Sequence, residues 1–140
     1  MAETIGLAAS ILTLVVFALD ASKSVYEAVS SFKSQRKTVK DIQTDLESLV
    51  AVLSSIREQA QRSSEVARLE PLREPLKCCA TVCQEMREML DACTTHSKDG
   101  RDSVRNWLNM RYKEKTFEDV KKRLASYKST VAITFESINM

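Results

Sequence analysis

The side chains best suited to chemistry in this sequence are four cysteines, Cys78, Cys79, Cys83 and Cys93, and one histidine, His96. Thiolates and imidazole bind zinc, and a Cys–His couple can serve as a nucleophile with its base. Spacing works against both. The cysteines form no C-x-x-C pair, and a four-ligand zinc site would consume nearly every candidate at unfavourable intervals. Cys93 lies near His96, yet it falls on an apolar helical stripe, where a thiolate is disfavoured. Cysteine is also a small buried hydrophobe, and a reduced intracellular helix accounts for the cluster more simply. His96 stands among Thr94, Thr95, Ser97 and Lys98 and reads as a solvated loop residue. The carboxylates Asp41, Asp45, Glu85 and Glu88 recur at helical spacing beside Lys40 and Arg87, the pattern of salt-bridged outer faces. No metalloprotease, nucleophile-elbow, kinase or deaminase signature occurs. Neither enzymatic activity nor a bound cofactor or metal is expected.

Phosphate-cradling loops are excluded on composition. Gly6 and Gly100 are the only glycines in 140 residues, so neither G-x-G-x-x-G nor G-x-x-x-x-G-K-[ST] can be written. Pro71 and Pro75 are the only prolines, and so few turn residues argue against a sandwich or barrel. Apolar residues make up 44% and charged residues 29%, with a formal net charge of +2, which is the balance of one folded domain rather than a disordered chain.

Charge is unevenly spread. Residues 41–91 hold ten acids against six bases, and residues 98–128 hold ten bases against five acids. The two regions can attract each other within the fold, or the second can present a positive face. Arg105, Arg111, Lys113, Lys115, Lys121, Lys122 and Arg123 are the candidate basic surface. Trp107 and Tyr112 accompany it, but five residues place them about 140° apart on a continuous helix, so they make no shared stacking platform. A pI near 8.4 also falls below that of a dedicated nucleic-acid binder. An anionic membrane surface or an acidic protein suits these charges better, and nucleic acid is not expected as a partner.

The elements that position these residues are helices. Val39, Ile42, Leu46, Leu49, Leu53, Ile56 and Ala60 recur at alternating steps of three and four, an unbroken bundle seam. Leu72, Leu76, Cys79, Cys83, Met86, Leu90 and Cys93 repeat it, and Phe117, Val120, Leu124, Tyr127, Val131, Phe135 and Ile138 do so again. Ser63 and Ser64 end the first of these helices or cap a short turn. The next begins between Pro71 and Pro75, because proline is tolerated only near a helix start. The stretch Thr94 to Gly100 reads as a loop, followed by a short helix carrying Val104, Trp107 and Leu108. Thr116 and Asp119 resemble a capping box that restarts the chain as the last helix.

The N-terminal helix differs in kind. Thr4 to Leu19 carries no charge, and from Asp20 a polar face returns with Lys23, Glu27 and Lys33. Those sixteen residues span about 24 Å as a helix, short of the roughly 30 Å hydrocarbon core. Only Glu3 precedes them, so the run does not read as a secretory signal. A helix apolar all round is enclosed by protein or lipid, which makes it the central rod of the bundle. Ile5, Leu7, Ile11, Leu12, Leu14, Val15, Val16, Phe17 and Leu19 are the candidate membrane or interaction residues. Gly6 within this run suggests close packing or a frayed end. The expected fold is therefore all-α, a single bundle of four to five helices over residues 1–140 with a hydrophobic N-terminal helix.

Beyond periodicity, the start MAETIGLAASILTLVVFALDASKSVYEAVSSFKSQRKTVKDIQTDLESLVAVL resembles the N-terminal domain of fungal STAND proteins. This HeLo-like group includes the N-terminal type of an azaphilone pigment cluster protein L. The stretches LEPLREPLKCCATVC and WLNMRYKEKTFEDVKKRLASYKSTVAI fit the same pattern, with the Leu-x-x-Pro-Leu turn, the Cys79 and Cys83 pair and the Tyr127-Lys128 step. The resemblance implies an effector or signalling module of a fungal immune-type receptor, cytoplasmic and membrane-associated on activation. It further implies regulated cell death by exposure or membrane insertion of the first helix, and it makes the chain a piece of a longer multidomain protein. A helical self-association or adaptor module without a membrane step is the alternative, and an accessory protein of a pigment cluster a third. The expected partners are accordingly protein, as a second copy or a signalling partner, and membrane lipid.

Overall fold

The computed structural model describes residues 10–30, 37–62, 64–95 and 111–140; within the helices the side chains of 38, 92–95 and 111–117 fall outside that description. Four α-helices follow one another: α1 (Ile11–Ser30), α2 (Lys37–Ala60), α3 (Arg73–Thr95) and α4 (Arg111–Ile138). A 3₁₀ helix, Ala67–Leu72, leads into α3, and there is no strand among the described residues. The protein is an all-α bundle. The short helix expected around Val104, Trp107 and Leu108 lies outside the described residues, as do Gly6, His96 and Gly100.

Local chemistry sets the boundaries. Ser10 caps α1: its Oγ accepts the Thr13 backbone N–H at 3.2 Å, satisfying one of the donors a helix start leaves open. α2 closes with Gln61 N–H on the Arg57 carbonyl and Arg62 N–H on that of Gln59. Further three-residue turns at Glu65, Arg68 and Leu69 wind into the 3₁₀ helix. Its three-residue period puts Leu69 and Leu72 on one side, and both are fully buried. α3 begins at Arg73, between the two prolines as expected, and Pro75 falls in its first turn where no N–H is needed. At the other end of the chain, Arg68 Nη2 donates to the Ile138 carbonyl at 2.7 Å, placing a cation at the negative end of α4.

Two boundaries differ from expectation. Thr94 and Thr95 belong to α3, and α4 is helical from Arg111, so Thr116 lies inside it rather than capping it. Neither run contains glycine or proline to stop propagation, and Arg, Lys and Glu around Thr116 are good helix formers.

Cross-helix bonds give the directions. Tyr26 meets Glu47 and Ser30 meets Gln43, so α1 and α2 are antiparallel. Ser22 meets Cys83 and Ser24 meets Arg87, so α1 and α3 run parallel. Asp41 and Asp45 meet Lys121 and Lys128, so α2 and α4 are parallel, while Glu85 meeting Arg123 ties α3 to α4. α1 packs on α2 and α3, and α4 packs on the same two from the opposite corner. The α2 seam from Val39 to Ala60 is buried at every expected position, and so is the α3 seam from Leu72 to Leu90. Each Leu or Ile so buried stabilises the fold by roughly 1.5–3 kcal/mol.

Candidate functional site

The cysteines are packing residues in the described structure. Cys79 and Cys83 are buried one turn apart on α3, and Cys78 is half-buried. Burial pushes the Cys79 thiol up to about 12 and the Cys83 thiol up to about 11. Such thiols stay protonated and are poor nucleophiles. Ser22 on α1, fully buried, donates its hydroxyl to the Ala18 carbonyl at 2.8 Å and lies 3.5 Å from Cys83 Sγ. With its proton committed, the hydroxyl oxygen is left to accept from the thiol. This contact was not legible from the cysteine spacing, since Ser22 lies in α1 and its partner in α3. Cys93 lies outside the described side chains. Among the described residues no group of three or more His, Cys, Asp and Glu side chains could hold a metal ion.

The candidate membrane helix divides by depth. Ile5 and Leu7 lie outside the described residues. Ile11, Leu14, Val15 and Leu19 are fully buried, Leu12 and Phe17 are half-buried, and Val16 is 37% exposed. The expected central rod is instead a corner helix. Among the described elements it packs on α2 and α3 and more lightly on the 3₁₀ helix, and Thr13, Val16 and Asp20 are exposed. The Ser10 cap also divides the charge-free run, leaving Ile11–Leu19 in the described helix, about 14 Å long. Among the described residues no helix is long and apolar enough to cross a membrane.

The candidate basic surface divides in the same way. Arg105 lies outside the described residues, and Arg111, Lys113 and Lys115 fall on the first turns of α4 with side chains outside the description. Lys121 Nζ pairs with Asp41 at 3.3 Å, and Arg123 makes a two-pronged bond to Glu85 at 3.1 and 2.6 Å. Lys122 is exposed. Lys128, outside the sequence-derived set, pairs with Asp45 at 2.9 Å, and both side chains are largely shielded. The hydrogen bond to Glu85 holds the Arg123 guanidinium charged still more firmly. Lys37 first, and Lys121 with it, hold the Asp41 carboxyl below its usual range. Among the described cations at this end, Lys121, Arg123 and Lys128 are thus spent on the acidic middle of the same chain.

Two surface grooves are lined by described residues. One, of about 290 Å³, lies between α1 and α2 against Tyr26 and Val50, rimmed by Lys23, Glu27 and Glu47. The Tyr26 hydroxyl donates to Glu47 at 2.8 Å across it. The other, of about 270 Å³, lies between α2 and α4, where Val52 and Phe135 form the apolar wall and Ala51, Ser55, Ala132 and Glu136 complete it. Ile133, on the adjoining turn of α4, is 62% exposed.

Fold and surface together define an all-α bundle in which many of the described polar side chains are engaged in caps, ion pairs and interhelical bonds. The family described as pigment biosynthesis cluster protein PigL N-terminal matches residues 2–140, and the chain belongs to that family. No curated protein and no solved structure matches the chain.

Proposed function

We propose that this domain is a non-enzymatic helical interaction module, an effector or signalling domain that works by associating with further copies of itself. The observation that carries this reading is the groove between α2 and α4 walled by Val52 and Phe135, together with Ile133 exposed on the outer side of α4. It stands beside a core that, among the described residues, is apolar except for Ser22 and Gln59. An open apolar groove and an exposed aliphatic side chain on the same helix are features that protein contacts cover. Light scattering against concentration tests it. The native domain is expected to gain mass as concentration rises, and Ile133→Asp to remain monomeric at every concentration. A strictly monomeric native domain defeats the reading.

Release of α1 into a membrane, with regulated cell death as its outcome, is the second reading, favoured by the charge-free stretch Ile11–Leu19. Val16 allows the cleaner test, because it is exposed and a charge there leaves the core intact, whereas Leu12 packs half-buried against the core. Vesicles of phosphatidylserine and phosphatidylcholine are expected to leak with the native domain and to hold their contents with Leu12→Asp or Val16→Asp. Equal leakage by all three removes insertion. A role in holding a pigment precursor has less support, since both grooves are open and at the small end of ligand sites.

A further inference from the structure

α4 is attached differently from every other helix. α1 buries Ile11, Leu14, Val15, Ala18, Leu19, Val25 and Val29 against its neighbours, whereas α4 among its described side chains fully buries Val120, Leu124 and Val131 and packs Tyr127, Phe135 and Ile138 half-buried against the core. Its polar ties are charged. Lys121 meets Asp41, Lys128 meets Asp45, Arg123 meets Glu85, and Arg68 holds the Ile138 carbonyl. Among the described residues no ion pair joins α1 to another helix; its cross-helix bonds there are Tyr26 to Glu47, Gln43 to Ser30, Arg87 to Ser24 and Ser22 to Cys83. Because α2 and α3 stand diagonally apart, α4 is the described α-helix that fills the space between them on this side, with the 3₁₀ helix packed against it. The seat is apolar at its floor and acidic at both walls, with Asp41 and Asp45 on α2 and Glu85 on α3. That is a receptor for a basic amphipathic helix, and α4 is its occupant within the chain.

We propose that this seat also takes α4 from a second copy of the chain, giving a dimer in which the two last helices are exchanged. Charge complementarity identifies the occupant. The acids on both walls match Lys121, Arg123 and Lys128 in position and sign, so the helix of a second molecule recovers every contact of the first. Exchange of an identical element changes no contact type, and its cost is association alone. The chain of residues 96–110 between α3 and α4 can reach at most about 50 Å, long enough for α4 to seat in an adjacent molecule. The inference rests on the self-association reading and gives it a second geometry, through the α4 seat instead of the groove and exposed Ile133.

The test reverses the charges in two separate full-length chains. The first carries Arg123→Glu and Lys128→Glu, so its helix is acidic and its seat unchanged. The second carries Asp45→Lys and Glu85→Arg, so its seat is basic and its helix unchanged. Alone, each sets like charges against one another; mixed, an exchanged heterodimer satisfies every pair. Light scattering and circular dichroism of the mixture are expected to show at least about tenfold more dimer than either chain alone, equivalent to about 1.4 kcal/mol. Chains unfolded when separate are expected to gain helix on mixing. A mixture that stays monomeric, or unfolded, overturns the proposal. A synthetic peptide of residues 111–140 serves as a further probe. If it binds the first variant while the two variants do not pair, the seat accepts a helix from elsewhere and the second-copy assignment falls. Native self-association abolished by Ile133→Asp, with no pairing of the variants, keeps the surface reading and removes the exchange.

Discussion

Cys79 and Cys83 are one helical turn apart, as reactive thiol pairs are in other settings, yet their surroundings make them inert. Desolvation favours the neutral thiol, and the values of about 12 and 11 leave roughly one thiolate in a thousand or fewer at pH 8. The only neighbouring hydroxyl described, that of Ser22, is committed to the Ala18 carbonyl. At pH 8 a disulfide reagent is therefore expected to modify half-buried Cys78 well before Cys79 or Cys83, and to reach those two at the rate of global opening. Titration of the folded domain, followed by peptide mapping, checks this, and equal labelling of all three would refute the packing role. The sign for stability also follows. An acid whose folded pKa is raised loses its stabilising contribution as pH climbs from the ordinary thiol value of 9.0 toward 12, so both cysteines weaken the fold only in strong alkali.

Helices, more than single residues, carry the charge pattern of this chain. Asp41 receives Lys37 from its own turn and Lys121 from α4, and its carboxyl is held below the usual range by those hydrogen bonds, Lys37 contributing most. A group with a depressed folded pKa stabilises above its unfolded pKa, and that contribution is lost as pH falls through the folded value. The urea midpoint of the native domain is accordingly expected to fall as pH drops below about 4, and Asp41→Asn to reduce that dependence. Identical pH profiles for the two proteins would show that the α2–α4 contact is not part of the acid response. The α2 and α3 seams were legible in the sequence because alternating steps of three and four constrain a helix face whatever it packs against. The start of α3 was equally legible from Pro71 and Pro75. The start of α4 was not, since Thr116 and Asp119 fit a cap but also fit the middle of a helix whose preceding residues favour propagation. Nor was the corner position of α1 legible. Periodicity reports how apolar a helix is, while the number of its neighbours is set by topology, which leaves Val16 at the surface. The pairing of Arg123 with Glu85 was foreseeable only as a general attraction between two oppositely charged regions, because partners on different helices obey no sequence spacing.

At the scale of the whole molecule the question is which helix leaves first. Release of α1 uncovers Ile11, Leu14, Val15, Ala18 and Leu19 together with the α2 and α3 surfaces they cover, an apolar cost that salt does not relieve. Loosening α4 uncovers fewer fully buried side chains and breaks contacts that are largely ionic and partly exposed. The Arg123 and Glu85 side chains keep 38% and 44% of their surface, so this pair is worth no more than about 1 kcal/mol and is weakened by salt. The Lys128 and Asp45 side chains, at 25% and 18%, are better shielded and set the firmer tie. Hydrogen exchange followed residue by residue is thus expected to show the amides of α4 opening before those of α1 and α2. Raising salt from about 0.05 to about 0.5 M shortens the screening length from roughly 14 to roughly 4 Å and should speed exchange in α4 several-fold, with little change in Leu14 to Val25. This ordering separates the two functional readings directly. A domain built to insert its first helix must open α1 without first dismantling the bundle, whereas one that associates through α2 and α4 keeps α1 as its most protected element. Exchange in α1 ahead of α4, at either salt concentration, would reverse the assignment of the movable helix and restore insertion as the leading mechanism.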